Sequence, residues 1–173
     1  MKQICSTVQS EGGSEPTGIV ASIKNGALSG LTTSLTAVLG IRLKNTANGA
    51  ATTELDSIVQ VVSTYLLCST NDAIEWSLAW NPALVGAGGS WSDVQGSSLQ
   101  MYSGSVTSTV TPTIEIDSGA FSSQVRVNNS ISLGNLNLGC DVDGTPDEIY
   151  LCAKTISGTS NISAAGLIVR QLV

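Results

Sequence analysis

The chain has 173 residues, 42% of them hydrophobic and only 12% charged, with a net charge of −6 and no histidine. That length supports one domain with a real core, and seven scattered Lys and Arg argue against nucleic-acid binding, which needs clustered cations to displace counterions. Without histidine there is no Ser–His–Asp or Cys–His machinery and no imidazole to hold a metal or shuttle a proton.

In chain order, short runs rich in Val, Ile, Thr, Leu and Tyr alternate with polar punctuation, the pattern of an all-β protein. Strands are expected at residues 2–9, 19–24, 36–44, 56–68, 73–81, 98–102, 106–116, 123–133, 148–156 and 161–172. Turn signals separate them: "EGGSEPTG" (11–18), "KNG" (24–26), "NTANG" (45–49), "STND" (69–72), "VGAGGSWSD" (85–93), "DSG" (117–119), "DGTPD" (143–147) and "SGTS" (157–160). Residues 56–68 are dense in β-branched side chains, which favours a strand over a helix. No 3.6-residue apolar period persists for more than two turns.

Period-two alternation predicts which side chains share a face. In "AVLGIRLK" it sets Ala37, Leu39, Ile41 and Leu43 against Val38, Arg42 and Lys44. In "IEWSLAW" it sets Trp76, Leu78 and Trp80 against Glu75, Ser77 and Ala79, and in "TIEIDS" Ile114 and Ile116 against Glu115 and Asp117. Each strand then has one core face and one polar face. The expected fold is an all-β, antiparallel, jelly-roll-like β-sandwich, a single domain over residues 1–173. Residues 1–18 are read as an N-terminal strand and loop available for oligomer contacts.

Four carboxylates crowd the stretch "LGCDVDGTPDEIYLCAKT" (138–155). An EF-hand fails there, because glycine stands at the third acidic position and no helices flank the loop. A different calcium loop from Asp141, Asp143 and Asp147 remains open. The competing reading is a tight turn, with Gly144 and Pro146 setting the backbone and aspartates closing Asx-turns. The strand that leaves it carries Ile149, Leu151 and Ala153 on one face. A glycosidase-type carboxylate pair lacks surrounding substrate aromatics.

Trp76 and Trp80 flank Leu78 on one strand face and read as core. Trp91, in the loop after "GAGG", is the candidate exposed, interface or ligand-stacking aromatic. The sequons "NNS" (128–130) and "NIS" (161–163) carry no weight without a signal peptide, and "MKQICSTVQS" lacks an apolar h-region. The cysteines at 5, 68, 140 and 152 have no C-x-x-C spacing, so zinc is not expected. Reduced, buried thiols are expected, with a 140–152 disulfide as the alternative. No uninterrupted apolar run reaches membrane-spanning length.

Several segments together resemble a group of tailed-bacteriophage virion proteins. They are "STVQSEGGSEPTG" (6–18), "IRLKNT" (41–46), "IEWSLAWNPAL" (74–84) and "DGTPDEIYLCAKTISGTSNISAAGLIVRQ" (143–171), in the same order along nearly the whole chain. The group's closing aromatic–Arg–acid is replaced here by Val169, Arg170 and Gln171. The resemblance implies a β-rich, jelly-roll-like module built into the particle as a decoration, collar or fibre component, often as a trimer. It offers no catalytic residues and no cofactor to carry over. The expectation is therefore a non-enzymatic virion structural protein whose partners are its own copies, as a homotrimer, and other capsid or tail proteins. Nucleic acid and membrane are not expected partners. A receptor- or glycan-binding fibre tip is the second expectation. A depolymerase, which needs two carboxylates from different strands facing across a cleft, is the third.

Overall fold

The structure, a computed structural model, describes residues 19–44, 58–69, 72–86, 88–112, 114–122, 127–130, 137–141 and 145–172. The expected strand at 2–9, the N-terminal loop and the "NTANG" turn lie outside them, as do Cys5 and Asp143. The strands are β1 (Ile19–Asn25), β2 (Leu28–Leu31), β3 (Thr36–Leu43), β4 (Ile58–Cys68), β5 (Ala73–Trp80), β6 (Ala83–Val85) and β7 (Ser90–Asp93). They continue with β8 (Leu99–Ser103), β9 (Thr109–Thr111), β10 (Ile114–Ser122), β11 (Val127–Ser130), β12 (Asn137–Leu138), β13 (Glu148–Thr155) and β14 (Ser160–Leu172).

Two antiparallel sheets pack face to face. Sheet A runs β1-β14-β4-β11, with β2 continuing the β1 edge along β14 and β12 continuing the β11 edge along β4. Sheet B runs β10-β5-β13-β3-β8-β7, with β9 and β6 attached beyond β3. Eight strands form the frame: β1, β3, β4, β5, β10, β11, β13 and β14. Renumbered 1 to 8 in chain order, they read 1-8-3-6 in sheet A and 5-4-7-2 in the matching part of sheet B. That is the jelly-roll order, so the fold is an antiparallel jelly-roll β-sandwich. Strands β6 to β9 are an insertion between β5 and β10 that widens sheet B past β3.

The main core lies between the sheets. Ile23, Val61, Leu66, Ile162, Leu167 and Val169 of sheet A face Leu39, Ile41, Trp76, Leu78, Ile149 and Leu151 of sheet B. A fully buried Leu or Ile contributes about 1.5–3 kcal/mol relative to an exposed one, so these inner faces hold the sandwich closed. Trp76 is buried and Trp80 packs against the same core, as expected. Ile149, Leu151 and Ala153 also share this face.

Sheet B departs from the one-polar-face expectation. Its outer face buries a second core of Ala37, Ala79, Tyr102, Val110, Tyr150 and Cys152. Leu84 of β6 and Val110 of β9 belong to that cluster, so the insertion curls over the face that alternation leaves polar. β3 and β13 are consequently buried on both sides.

A bulge also corrects the face assignment in β3. Leu151 pairs with Leu39 but Cys152 pairs with Ala37, leaving Val38 as an extra residue. One inserted residue flips every side chain beyond it. Val38 therefore joins the main core, and Ala37 joins the outer one. A second irregularity falls between Glu115 and Asp117 of β10: Glu115 lies opposite Ala79 and Asp117 opposite Leu78, so the two acids do not share a face as a regular strand requires.

The single strand expected at 106–116 is two. Val106 and Thr107 turn, closed by Ser108 N–H donating to the Ser105 carbonyl at 2.9 Å. Pro112, which has no N–H to give a ladder, separates β9 from β10. Conversely, "DSG" (117–119) is strand rather than turn. A Cβ at Gly119 would sit 2.9 Å from Trp76 Nε1, so this glycine makes room for an indole. Cys68, Cys140 and Cys152 are free thiols, which removes the 140–152 disulfide.

Candidate functional site

Two side-chain rows cross the outer face of sheet B, and the strand register builds both. The first places Asp93 (β7), Gln100 (β8), Arg42 (β3) and Glu148 (β13) side by side. Gln100 Nε2 donates to Asp93 Oδ1 at 2.9 Å, and Arg42 Nε donates to Gln100 Oε1 at 2.9 Å. Arg42 Nη1 donates to Glu148 Oε1 at 2.8 Å in a partly buried ion pair. The Tyr150 hydroxyl donates to the other Glu148 oxygen at 2.6 Å.

The second row lies two residues along each strand: Trp91, Tyr102, Gly40 and Tyr150. Gly40 is the gap that lets the rings meet. A Cβ there would lie 2.7 Å from the Tyr150 ring and 3.0 Å from Tyr102 Cβ. The Tyr102 and Tyr150 rings stand edge to face at 5.3 Å between centroids, and Trp91 approaches them at 5.4 and 5.8 Å. Such spacings favour the quadrupole interaction of tilted rings. The Arg42 guanidinium stacks over the Trp91 ring at 4.1 Å, linking the two rows.

The hydroxyls of the aromatic row are also engaged. Tyr102 donates to Ser108 Oγ at 2.9 Å within the insertion. Burial, followed by the hydrogen bond and charge of Glu148, pushes the Tyr150 phenol far above its ordinary range, so it remains a neutral donor. The arrangement is a brace. It pins β7 and β8 of the insertion to β3 and β13 of the jelly-roll frame through one guanidinium and three rings.

Its two carboxylates do not form a hydrolytic pair. Asp93 and Glu148 lie three strand spacings apart, about 14 Å, with Gln100 and Arg42 between them. Paired-carboxylate hydrolysis needs about 5–9.5 Å. The other strand-borne acids divide similarly: Glu75 pairs with Lys154 at 3.1 Å, and Glu115 and Asp117 lie on β10.

Trp91, singled out in the sequence, is half-buried on strand β7 rather than in a loop. The strand places Asp93 on its face, but the guanidinium occupies one side of its ring. In the acidic stretch the described residues 139–141 and 145–147 run antiparallel, with Cys140 opposite Pro146. Asp141 N–H donates to the Thr145 carbonyl at 2.8 Å, and Asp147 N–H to that of Gly139 at 2.9 Å. Asp141 is exposed to solvent, and Asp147 Oδ1 accepts from Asn81 Nδ2 at 2.9 Å. No group of three or more potential metal ligands converges among the described residues. No helix among them is long and apolar enough to cross a membrane.

Sequence reasoning left Arg42, Gln100, Tyr102, Glu148 and Tyr150 unassigned. Their signal is the register, because each is an outward residue of a strand whose neighbours are far away in sequence. Compared with family models, curated proteins and solved structures, the chain matches none of them.

Proposed function

We propose that this chain is a non-enzymatic structural component of a tailed-bacteriophage particle, serving as capsid decoration, collar or fibre. It acts by packing against its own copies, as a homotrimer, and against other virion proteins. The observation that carries this reading is the jelly-roll strand order, an architecture used repeatedly in viral shells. The phage-like segments add to it by converging in space. "IRLKNT" supplies the end of β3, "IEWSLAWNPAL" supplies β5, and "DGTPDEIYLCAKT" supplies β13, which lies between them in sheet B. Asn81, which takes a positive φ of 42°, accepts from Glu148 N–H at 2.6 Å, and Arg42 pairs with the Glu148 side chain. The residues behind the resemblance are thus one connected piece of framework. A low-charge surface suits a protein that works in contact with others.

Immunogold electron microscopy with antibody raised against the purified chain tests the reading. Labelling is expected at one repeated position on intact phage particles; label confined to unassembled protein overturns it. A receptor- or glycan-binding tip is the second reading, favoured by half-exposed Trp91 with Asp93 beside it on β7. Glycan binding abolished by Trp91→Ala, with folding retained, would move the assignment there.

A further inference from the structure

We propose that the outer face of sheet A is a docking surface for a second copy of this chain, which inserts the acidic edge of its β10 strand. Docking of this kind rests on the self-assembling role proposed above and supplies the two surfaces that perform it.

Charge is divided between the two sheets. The strands of sheet A contain no aspartate or glutamate, whereas those of sheet B contain Glu75, Asp93, Glu115, Asp117 and Glu148. Glu75 and Glu148 are neutralised by Lys154 and Arg42 of their own sheet. Asp93, on the edge strand β7, accepts from the neutral Gln100 amide, and Glu115, exposed on the opposite edge strand β10, has no cation among the described residues. Lys24 and Arg170, exposed on β1 and β14, have no carboxylate among them either. An acidic molecule thus keeps two cations without a carboxylate partner on one face and a carboxylate without a cation on the opposite sheet's edge, among the described residues.

Apolar surface accompanies the charge at both places. On sheet A, Val20 is 57% exposed and Ile58 45% exposed, the first beside Arg170 in the register. Between β1, β14 and β4 lies a groove of about 340 Å³ walled by Lys24, Tyr65, Leu67 and Ile168. Gly166 on β14 lets one of these walls lie flat: the Tyr65 ring crosses this glycine, where a Cβ would collide with it. On β10, Ile114 is 58% exposed immediately before Glu115. Glu115 meets the lysine at the rim of the groove, while Ile114, on the other side of the β10 strand, adds apolar area to the contact. The two surfaces differ, so the contact is heterologous and repeats head to tail until a ring closes. A trimer closes it in three identical steps.

The test is sedimentation velocity of the full chain with Lys24→Glu, Glu115→Lys and the two combined. Both positions are exposed, and circular dichroism checks that each variant folds. Wild type is expected to associate, less so at high salt. Each single reversal should weaken association about tenfold, and the double variant should recover most of that loss. If either reversal disturbs folding, Lys24→Gln and Glu115→Gln replace them and should weaken association in the same direction. Association that ignores both single changes, or a double variant no better than the singles, overturns this surface and leaves the self-assembly reading intact. A wild type that remains monomeric at every concentration overturns both.

Discussion

Gly40 stands where two tyrosine rings cross, and its missing side chain is a packing requirement. No positive φ demands glycine there; the space does. Gly40→Ala should therefore destabilise the fold by about 1–3 kcal/mol, the usual cost of overpacking. Gly26, where an added methyl would meet nothing within 4 Å and the φ is ordinary, is the control, and Gly26→Ala should stay within about 0.5 kcal/mol. Urea unfolding of both variants checks this, and equal midpoints would show that the rings simply move aside. In the sequence, "LGIRL" gives no hint of this role, because Tyr102 and Tyr150 reach Gly40 from strands 62 and 110 residues further along.

Among the elements, β7 and β8 owe their attachment to the brace. Hydrogen bonds tie β8 to β3 along only one edge, and β7 pairs its backbone only with β8. The Arg42–Trp91 stack reaches past that ladder from β3 directly to β7. A double-mutant cycle with Arg42→Met and Trp91→Leu should return a coupling of about 0.5–1 kcal/mol in thermal unfolding. Additive losses would mean that the guanidinium and the indole are neighbours without an energetic link. The alternation of β5 and β13 was legible from sequence, as was the strand expected at 56–68 and found over Ile58–Cys68. The short strands β2, β6, β7 and β12 were not: two to four residues are too few to display a period, and partners elsewhere in the chain decide their pairing.

For the molecule as a whole, the two cores respond alike to alkaline pH. Burial pushes the Cys152 thiol, in the outer core, up to about 12, with the nearby Glu115 charge adding to it. Burial, then the Asp72 charge, pushes Cys68, in the main core, up to about 11. Both values lie above the ordinary thiol value of 9.0, so the folded state holds these protons more tightly than the unfolded chain. That contribution is complete below pH 9 and is lost as pH rises toward about 11 and 12. The melting temperature should fall through this window, with a limiting slope of about 1.4 kcal/mol per pH unit for each thiol. Cys152→Ala should flatten the fall relative to wild type; an unchanged slope would place the pH sensitivity elsewhere.

Neighbouring residues alone were enough to specify the all-β class, the two-sheet sandwich, and the inner faces of β5 and β13. These follow from local backbone preference and from burial of one strand face, both of which act over a few consecutive positions. The jelly-roll order, the bulge that exchanges Ala37 and Val38, and the insertion that covers the second face of sheet B emerged with the tertiary structure. So did the meeting of Arg42, Trp91, Tyr102, Glu148 and Tyr150, and the placing of Lys24 and Arg170 on one sheet and Glu115 on the edge of the other. Each of these depends on register between strands distant in sequence, and a shift of one residue would turn every side chain to the opposite face.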